Sequence, residues 1–167
     1  MFLDESGCNT DMTRQYAYSL GGSRAVDSAP LSKPKNTTIL SSIQLEGTLR
    51  YTTFSGGTTV ERFKRYLETD LLPHLNGNSV LIMDNMKSHH AKAVKNLLDS
   101  SGVRYIYLPP YSPDLNPIEK LWSKVKSSLR KFKARTLDAL PNAIQNAFHA
   151  VTVSDCSGWF RFCGYAL

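Results

Sequence analysis

Cysteine is scarce: three in 167 residues, at positions 8, 156 and 163. An odd count excludes a fully paired disulfide framework, and the six residues separating Cys156 from Cys163 are not a zinc spacing. The three read as free thiols of a reducing cytosol. Long apolar runs are missing too. The longest is Val80–Met83, far short of the ~20 residues that cross a bilayer, so no membrane association is expected. The opening Met-Phe-Leu-Asp-Glu-Ser lacks a basic segment followed by an apolar core, so it does not read as a secretory leader. No glycine-rich phosphate loop occurs, which argues against a nucleoside triphosphatase. No serine or cysteine sits in a readable triad, so nothing points to a covalent intermediate. Internal repeats and low-complexity tracts are absent.

What remains fits one globular domain with one sizeable core: 167 residues, 41% of them hydrophobic. The net charge of +6 is unevenly spread. Residues 1–100 carry 11 Lys and Arg against 10 Asp and Glu, whereas residues 101–167 carry 9 against 4. From position 120 to 135 there are seven basic residues (Lys120, Lys124, Lys126, Arg130, Lys131, Lys133 and Arg135) and no acidic one. Such a stripe suits either a nucleic-acid backbone or a solvated helix face.

The pattern of elements is coarse but legible. Residues 37–43 and 48–54 are β-branched and apolar, with Glu46-Gly47 as the turn of a hairpin. Residues 16–19 read as another short strand and 28–36 as a loop rich in Pro, Ser and Lys. Between 59 and 75 the period changes: Val60, Phe63, Leu67, Leu71 and Leu75 fall at helical spacing. Val80–Met83 and residues 103–108 read as buried strands, and 91–98 as the helix between them. A proline-rich loop, 109–117, leads into helices at 116–132 and 137–150. Strand, helix, strand, helix implies parallel pairing through right-handed crossovers. The sum is an α/β fold with a mixed sheet.

Three carboxylates stand at informative places. Asp84 directly follows the 80–83 strand, where open α/β sheets place their sites; a turn or helix cap at Asp84-Asn85 is the simpler reading. Glu119 opens a helix, and Asn116, Pro117 and Glu119 fit a capping box that needs no other role. Asp4 follows Phe2 and Leu3 near the end of a strand, with Glu5 on the opposite face by alternation, or else in a frayed terminus. Three acids from separate elements could hold hard, oxygen-seeking ions such as Mg²⁺. A pair of such ions stabilises both the attacking and leaving oxygens of an in-line displacement at phosphorus.

Here the residues carry a family likeness. Phe2-Leu3-Asp4-Glu5-Ser6, Met83-Asp84-Asn85 and Leu108-Pro109-Pro110-Tyr111-Ser112-Pro113-Asp114-Leu115-Asn116-Pro117-Ile118-Glu119 resemble the DDE transposases of bacterial insertion sequences related to the mariner group. The 34 residues between Asp84 and Glu119 (85–118) match the spacing of that superfamily. Gly56-Gly57 with Phe63, Leu71-Leu72-Pro73, Arg135-Thr136 and the Gly158-Trp159-Phe160 end with Cys163-Gly164-Tyr165 extend the likeness over the chain. The resemblance implies a ribonuclease H-like fold, a mixed five-stranded sheet with helices on both faces. It implies that Asp4, Asp84 and Glu119 are catalytic and bind metal, two Mg²⁺ or Mn²⁺ ions. Water would cleave DNA at the element's ends, and the freed 3′-hydroxyl would attack target DNA at a TA step. Asp114 is expected to be a loop or capping residue, and His89 and His90 an exposed pair at a helix start; the alternative is that one of them borders the site, since related sequences often place a histidine near here.

On this reading Ile118, Leu121, Trp122, Val125, Leu129 and Phe132 form the apolar stripe of one helix, which makes Trp122 a core residue. Lys120, Lys124, Lys126, Arg130, Lys131 and Lys133 are then expected to bind the DNA backbone, largely without regard to sequence. The whole chain reads as a single catalytic domain. Family members carry a helix-turn-helix before it, and only three residues precede Asp4 here, so the first strand is expected to be short. The expected partners are DNA and either a second copy or a separate N-terminal DNA-binding polypeptide, acting in the cytoplasm at the nucleoid. A nuclease that does not join strands, and an inactive DNA-binding remnant, are the alternatives.

Overall fold

The computed structural model describes residues 1–31, 34–47 and 49–165. Five strands form one sheet: β1 (Phe2–Cys8), β2 (Thr37–Ile43), β3 (Leu49–Ser55), β4 (Val80–Met83) and β5 (Arg104–Tyr107), in the order β3-β2-β1-β4-β5. β1 pairs antiparallel with β2 and parallel with β4, while β2–β3 is antiparallel and β4–β5 parallel. The antiparallel half is the expected hairpin, closed by Gly47 at φ +82°, a conformation glycine adopts without cost. Thr48, the expected first residue of its second strand, lies outside the described residues. The parallel half needs crossovers, and helices supply them. α1 (Val60–Tyr66) leads to β4, and α2 (Lys92–Ser101) joins β4 to β5. Helices α3 (Ile118–Phe132), α4 (Leu140–His149) and α5 (Val153–Phe162) follow.

Alternation along the strands divides the core in two. Phe2, Cys8, Ile39 and Ile43 face one side, where they meet Ile118, Leu121, Trp122, Val125 and Leu129 of α3 together with α4 and α5. Leu3, Leu40, Leu81 and Met83 face the other, where Phe63 and Tyr66 of α1 and Val94 and Leu98 of α2 cover them. Full burial of each such side chain is worth about 1.5–3 kcal/mol, which is what seats the amphipathic helices on the sheet. A mixed five-stranded sheet with helices on both faces is thus observed.

Several local expectations change. Residues 16–19 form no strand; Tyr16 and Tyr18 lie fully exposed in the long connection from β1 to β2. β1 is not short: it runs seven residues, because β2 pairs with it along its whole length. Asp4 therefore sits inside the strand rather than at its end. The apolar stripe of α3 ends at Leu129, and Phe132 is exposed. α5 is a further helix beyond the expected ones, and its Thr152-x-x-Asp155 start forms a capping box with both reciprocal bonds made. Among the described residues no helix is long and apolar enough to cross a membrane.

Candidate active site

The parallel pairing of β1 with β4 builds the centre. Phe2 lies beside Ile82 and Leu3 beside Met83, so one step further along the register brings Asp4 next to Asp84. Glu119 comes from a third element, the first turn of α3. Trp122, one turn later on the same helical face, donates from Nε1 to Asp4 Oδ2 at 3.1 Å and locks α3 against β1. Asp4, Asp84 and Glu119 all line one cavity of about 830 Å³, whose remaining wall is Glu5, Asn85, Met86, Asn116 and the 108–113 segment. Asn85 anchors that segment by donating from Nδ2 to the Leu108 carbonyl at 2.9 Å.

The electrostatics differ between the two aspartates. Burial pushes the Asp4 carboxyl up to about 7, and the charges of Asp84 and Glu119 push the same way, against hydrogen bonds from the Glu5 N–H and Trp122. Burial would also raise Asp84, but the hydrogen bond and charge of His89 and the Met86 N–H hold it below the usual carboxylate range. Burial would depress His89, yet its close contacts with the carboxylates of Asp84 and Glu5, and their charges, carry it up to about 9. One acid that resists ionisation beside one kept ionised is a charge pattern typical of functional sites.

Glu119 does not serve as a helix cap: no side-chain capping bond is made at the start of α3, and Pro117 is already helical. Its carboxylate is exposed at the cavity. Asp114 sits on an exposed turn, Pro113–Leu115, as expected. The expected exposed pair at 89–90 is corrected. His89 is fully buried, stacked on Phe63 and placed between Asp84 and Glu5. His90 is partly exposed, stacked on Tyr107 and bonded to Asn85. Glu5 does lie across the strand from Asp4, as alternation requires; the residue nonetheless lines the cavity, with both carboxylate oxygens buried.

The basic residues divide into two flanks of α3. Lys120, Lys124 and Lys131 line a shallow groove with Trp159, while Lys126, Arg130 and Lys133 follow the other side at helical spacing. Not all are available. Lys124 pairs with Asp155 and Lys133 with Asp27. Lys120 lies 3.9 Å over the Phe162 ring. Arg135 is spent on the carbonyls of Thr10 and Met12 and on Thr13 Oγ1.

Among the described residues, no three His, Cys, Asp or Glu side chains are close enough to enclose an ion unaided. Open carboxylate sites of this kind still suit Mg²⁺ or Mn²⁺, which keep several waters and need few protein oxygens. The donor set is all oxygen, and the mutual repulsion felt by Asp4 is what a divalent cation would relieve.

A family model described as DDE superfamily endonuclease matches residues 1–141. The chain belongs to that family. It is 30% identical over 97 residues to the transposable element Tc1 transposase of Caenorhabditis elegans, a match covering 56% of this chain and 36% of the relative. Among solved structures, the Mos1 transposase paired-end complex with the left transposon end superposes with a TM-score of 0.79 at 19% identity, over 96% of this chain and 50% of that one. Mos1 mariner paired-end complexes with Mn and with Mg give TM-scores of 0.70 and 0.68 at 19% and 18% identity, over 96% and 98% of this chain and 51% and 50% of theirs. The DDE chain thus has the fold of the Mos1 catalytic region, the ribonuclease H-like fold implied by its motifs. It spans about half the length of the Mos1 chains and about a third of the Tc1 relative. The curated relatives Tc1 and Tcb2 are both transposases of nematodes.

Proposed function

We propose that this chain is the catalytic part of a DNA transposase, with Asp4, Asp84 and Glu119 holding two Mg²⁺ or Mn²⁺ ions. The observation that carries the reading is the convergence of these acids, from β1, the end of β4 and the start of α3, on one open cavity. Its support from the comparisons is the family match and the Mos1 complexes that carry a transposon end, Mn or Mg. Ions held there supply Lewis-acid stabilisation of charge on the phosphoryl oxygens and a stronger oxygen nucleophile. The rest is done by the chain. Asp4 is held by Trp122 and the Glu5 N–H, and Asp84 by His89 and the Met86 N–H, so each carboxylate is oriented before substrate arrives. The 108–113 segment, tied down by Asn85, forms the wall along which a DNA strand would lie. Lys126, Arg130 and Lys131 on α3 would supply phosphate contacts. We extend the reading to cleavage at element ends and joining at a TA step, by a homodimer or with a separate DNA-recognising polypeptide.

The test is Mn²⁺-dependent nicking and 3′-end joining of DNA by the purified chain, beside Asp84→Asn and Glu119→Gln. Each substitution is expected to lower both by on the order of 10²–10³-fold, as for loss of one group stabilising transition-state charge. Nicking without joining in the parent chain supports a nuclease. Equal activity in the parent and Asp84→Asn removes this site from the reaction and leaves a DNA-binding chain.

A further inference from the structure

Beyond the three acids, the cavity is bordered by a buried pair whose arrangement is too specific for packing alone. His89 is fully buried, its ring stacked on Phe63 with centroids 4.2 Å apart. Tyr107 Oη donates to its carbonyl at 3.0 Å, fixing the backbone beneath the ring. The ring edge then has one position. Its Nδ1 lies 2.8 Å from Asp84 Oδ1, and its Nε2 lies 3.3 Å from Glu5 Oε2, within ion-pairing distance. Among the described residues neither Glu5 carboxylate oxygen has an aligned hydrogen-bond donor, so an acid with only 13% of its side chain exposed faces the imidazole. Burying such a group is costly unless something offsets it.

The consequence falls on Asp84. Both protein donors to its carboxylate, His89 Nδ1 at 2.8 Å and the Met86 N–H at 3.1 Å, meet Oδ1. Among the described residues this leaves Oδ2 without a protein donor. On the opposite face of the sheet Trp122 Nε1 serves Asp4 in the same way, as a buried aromatic N–H on one carboxylate oxygen. Outer partners that orient ligand side chains commonly govern metal affinity strongly.

We propose that Glu5 and His89 form a positioning pair for Asp84: the Glu5 carboxylate holds the Nε2 edge of the His89 ring, and the Nδ1 edge holds Asp84 Oδ1 so that Oδ2 is presented to a divalent ion. The pair acts through Asp84 and touches neither ion nor DNA. It rests on the reading of Asp84 as an ion-holding carboxylate.

The test is Mn²⁺ binding by the full chain, followed through the electron paramagnetic resonance signal of free aqueous Mn²⁺, with nicking kinetics alongside. His89→Phe keeps the stack on Phe63 and removes the donor; its Mn²⁺ affinity is expected to fall about 10–100-fold. His89→Asn places an amide N–H near the former Nδ1 and is expected to recover part of that loss, a rescue that a packing role does not give. Glu5→Gln, nearly isosteric, should weaken Mn²⁺ binding several-fold, with kcat for nicking reduced more than KM for DNA. A folded His89→Phe chain that binds Mn²⁺ like the parent overturns the proposal, as does an Asn variant no better than Phe. Should His89→Phe fail to fold, Glu5→Gln decides in the same two directions. Asp84→Asn is the control: undiminished Mn²⁺ affinity there sinks the site reading itself, whereas its loss with normal binding in the Glu5 and His89 variants sinks only the pair.

Discussion

Replacing Asp4 by Asn should make the metal-free chain more stable at pH 8, not less. The carboxyl of Asp4 is pushed from 3.8 up to about 7 by burial and by the neighbouring acids. An acid with a raised native pKa keeps its proton in the folded chain where the unfolded chain has released it. Stability therefore falls as pH rises through the window from 3.8 to about 7, and stays lower above it. At about 1.4 kcal/mol per pH unit the penalty is on the order of 4 kcal/mol. Asp4 is only 7% exposed, so solvent does little to discount it. Asn carries no charge at any pH and can still accept from Trp122. Urea unfolding of both chains, from pH 3 to 8 without divalent ions, should show near-equal stability at the acid end and a gap widening in favour of Asn. Mn²⁺ should then reverse the order, because only the carboxylate chain gains from binding a ligand that prefers the native state. An Asn variant less stable than its parent at pH 8, or a gap that does not widen between pH 4 and 7, would refute the reasoning.

Other outcomes follow from the same structure. The raised His89 group, at about 9 against 6.5, contributes stability that is complete below pH 6.5 and lost as pH rises through 9. Urea midpoints between pH 6 and 10 should therefore fall more steeply in the parent than in His89→Asn. Substituting Gln for Lys131 or Arg130 should weaken DNA binding uniformly across sequences and reduce the salt slope by about 0.9 for each phosphate no longer neutralised. Lys124→Gln should leave that slope nearly unchanged, since Lys124 is paired with Asp155; filter binding at several salt concentrations checks both.

The fold was legible wherever local chemistry dominates. Val80–Met83 is apolar throughout because β4 is covered on both sides by helices. The spacing of Ile118, Leu121, Trp122, Val125 and Leu129 is the face of α3 that meets the sheet. The order of the carboxylates was legible through the motif around them. What could not be read was decided by distant partners. The length of β1 comes from a pairing with β2 across a long connection, and nothing in Asp-Glu-Ser-Gly-Cys announces it. His89 looks like one half of a polar dipeptide until Phe63 and Glu5, far away in sequence, close around it. The basic run at 120–135 reads as uniform, yet partners at Asp27 and Asp155 remove Lys133 and Lys124 from it.

The parallel contact between β1 and β4 has a further consequence, for the order of folding. It joins the first strand to one that begins at Val80, the kind of distant pairing that forms slowly because the intervening chain must first be gathered. The hairpin of β2 and β3 and the helices can form earlier, from near neighbours. Asp4 and Asp84 meet only when that slow step is complete, and Trp122 reaches Asp4 only after α3 has docked. A partly folded chain thus holds its acids apart and has no assembled centre for chemistry. If these acids hold the ions proposed above, that centre is complete only once the contact between β1 and β4 has formed.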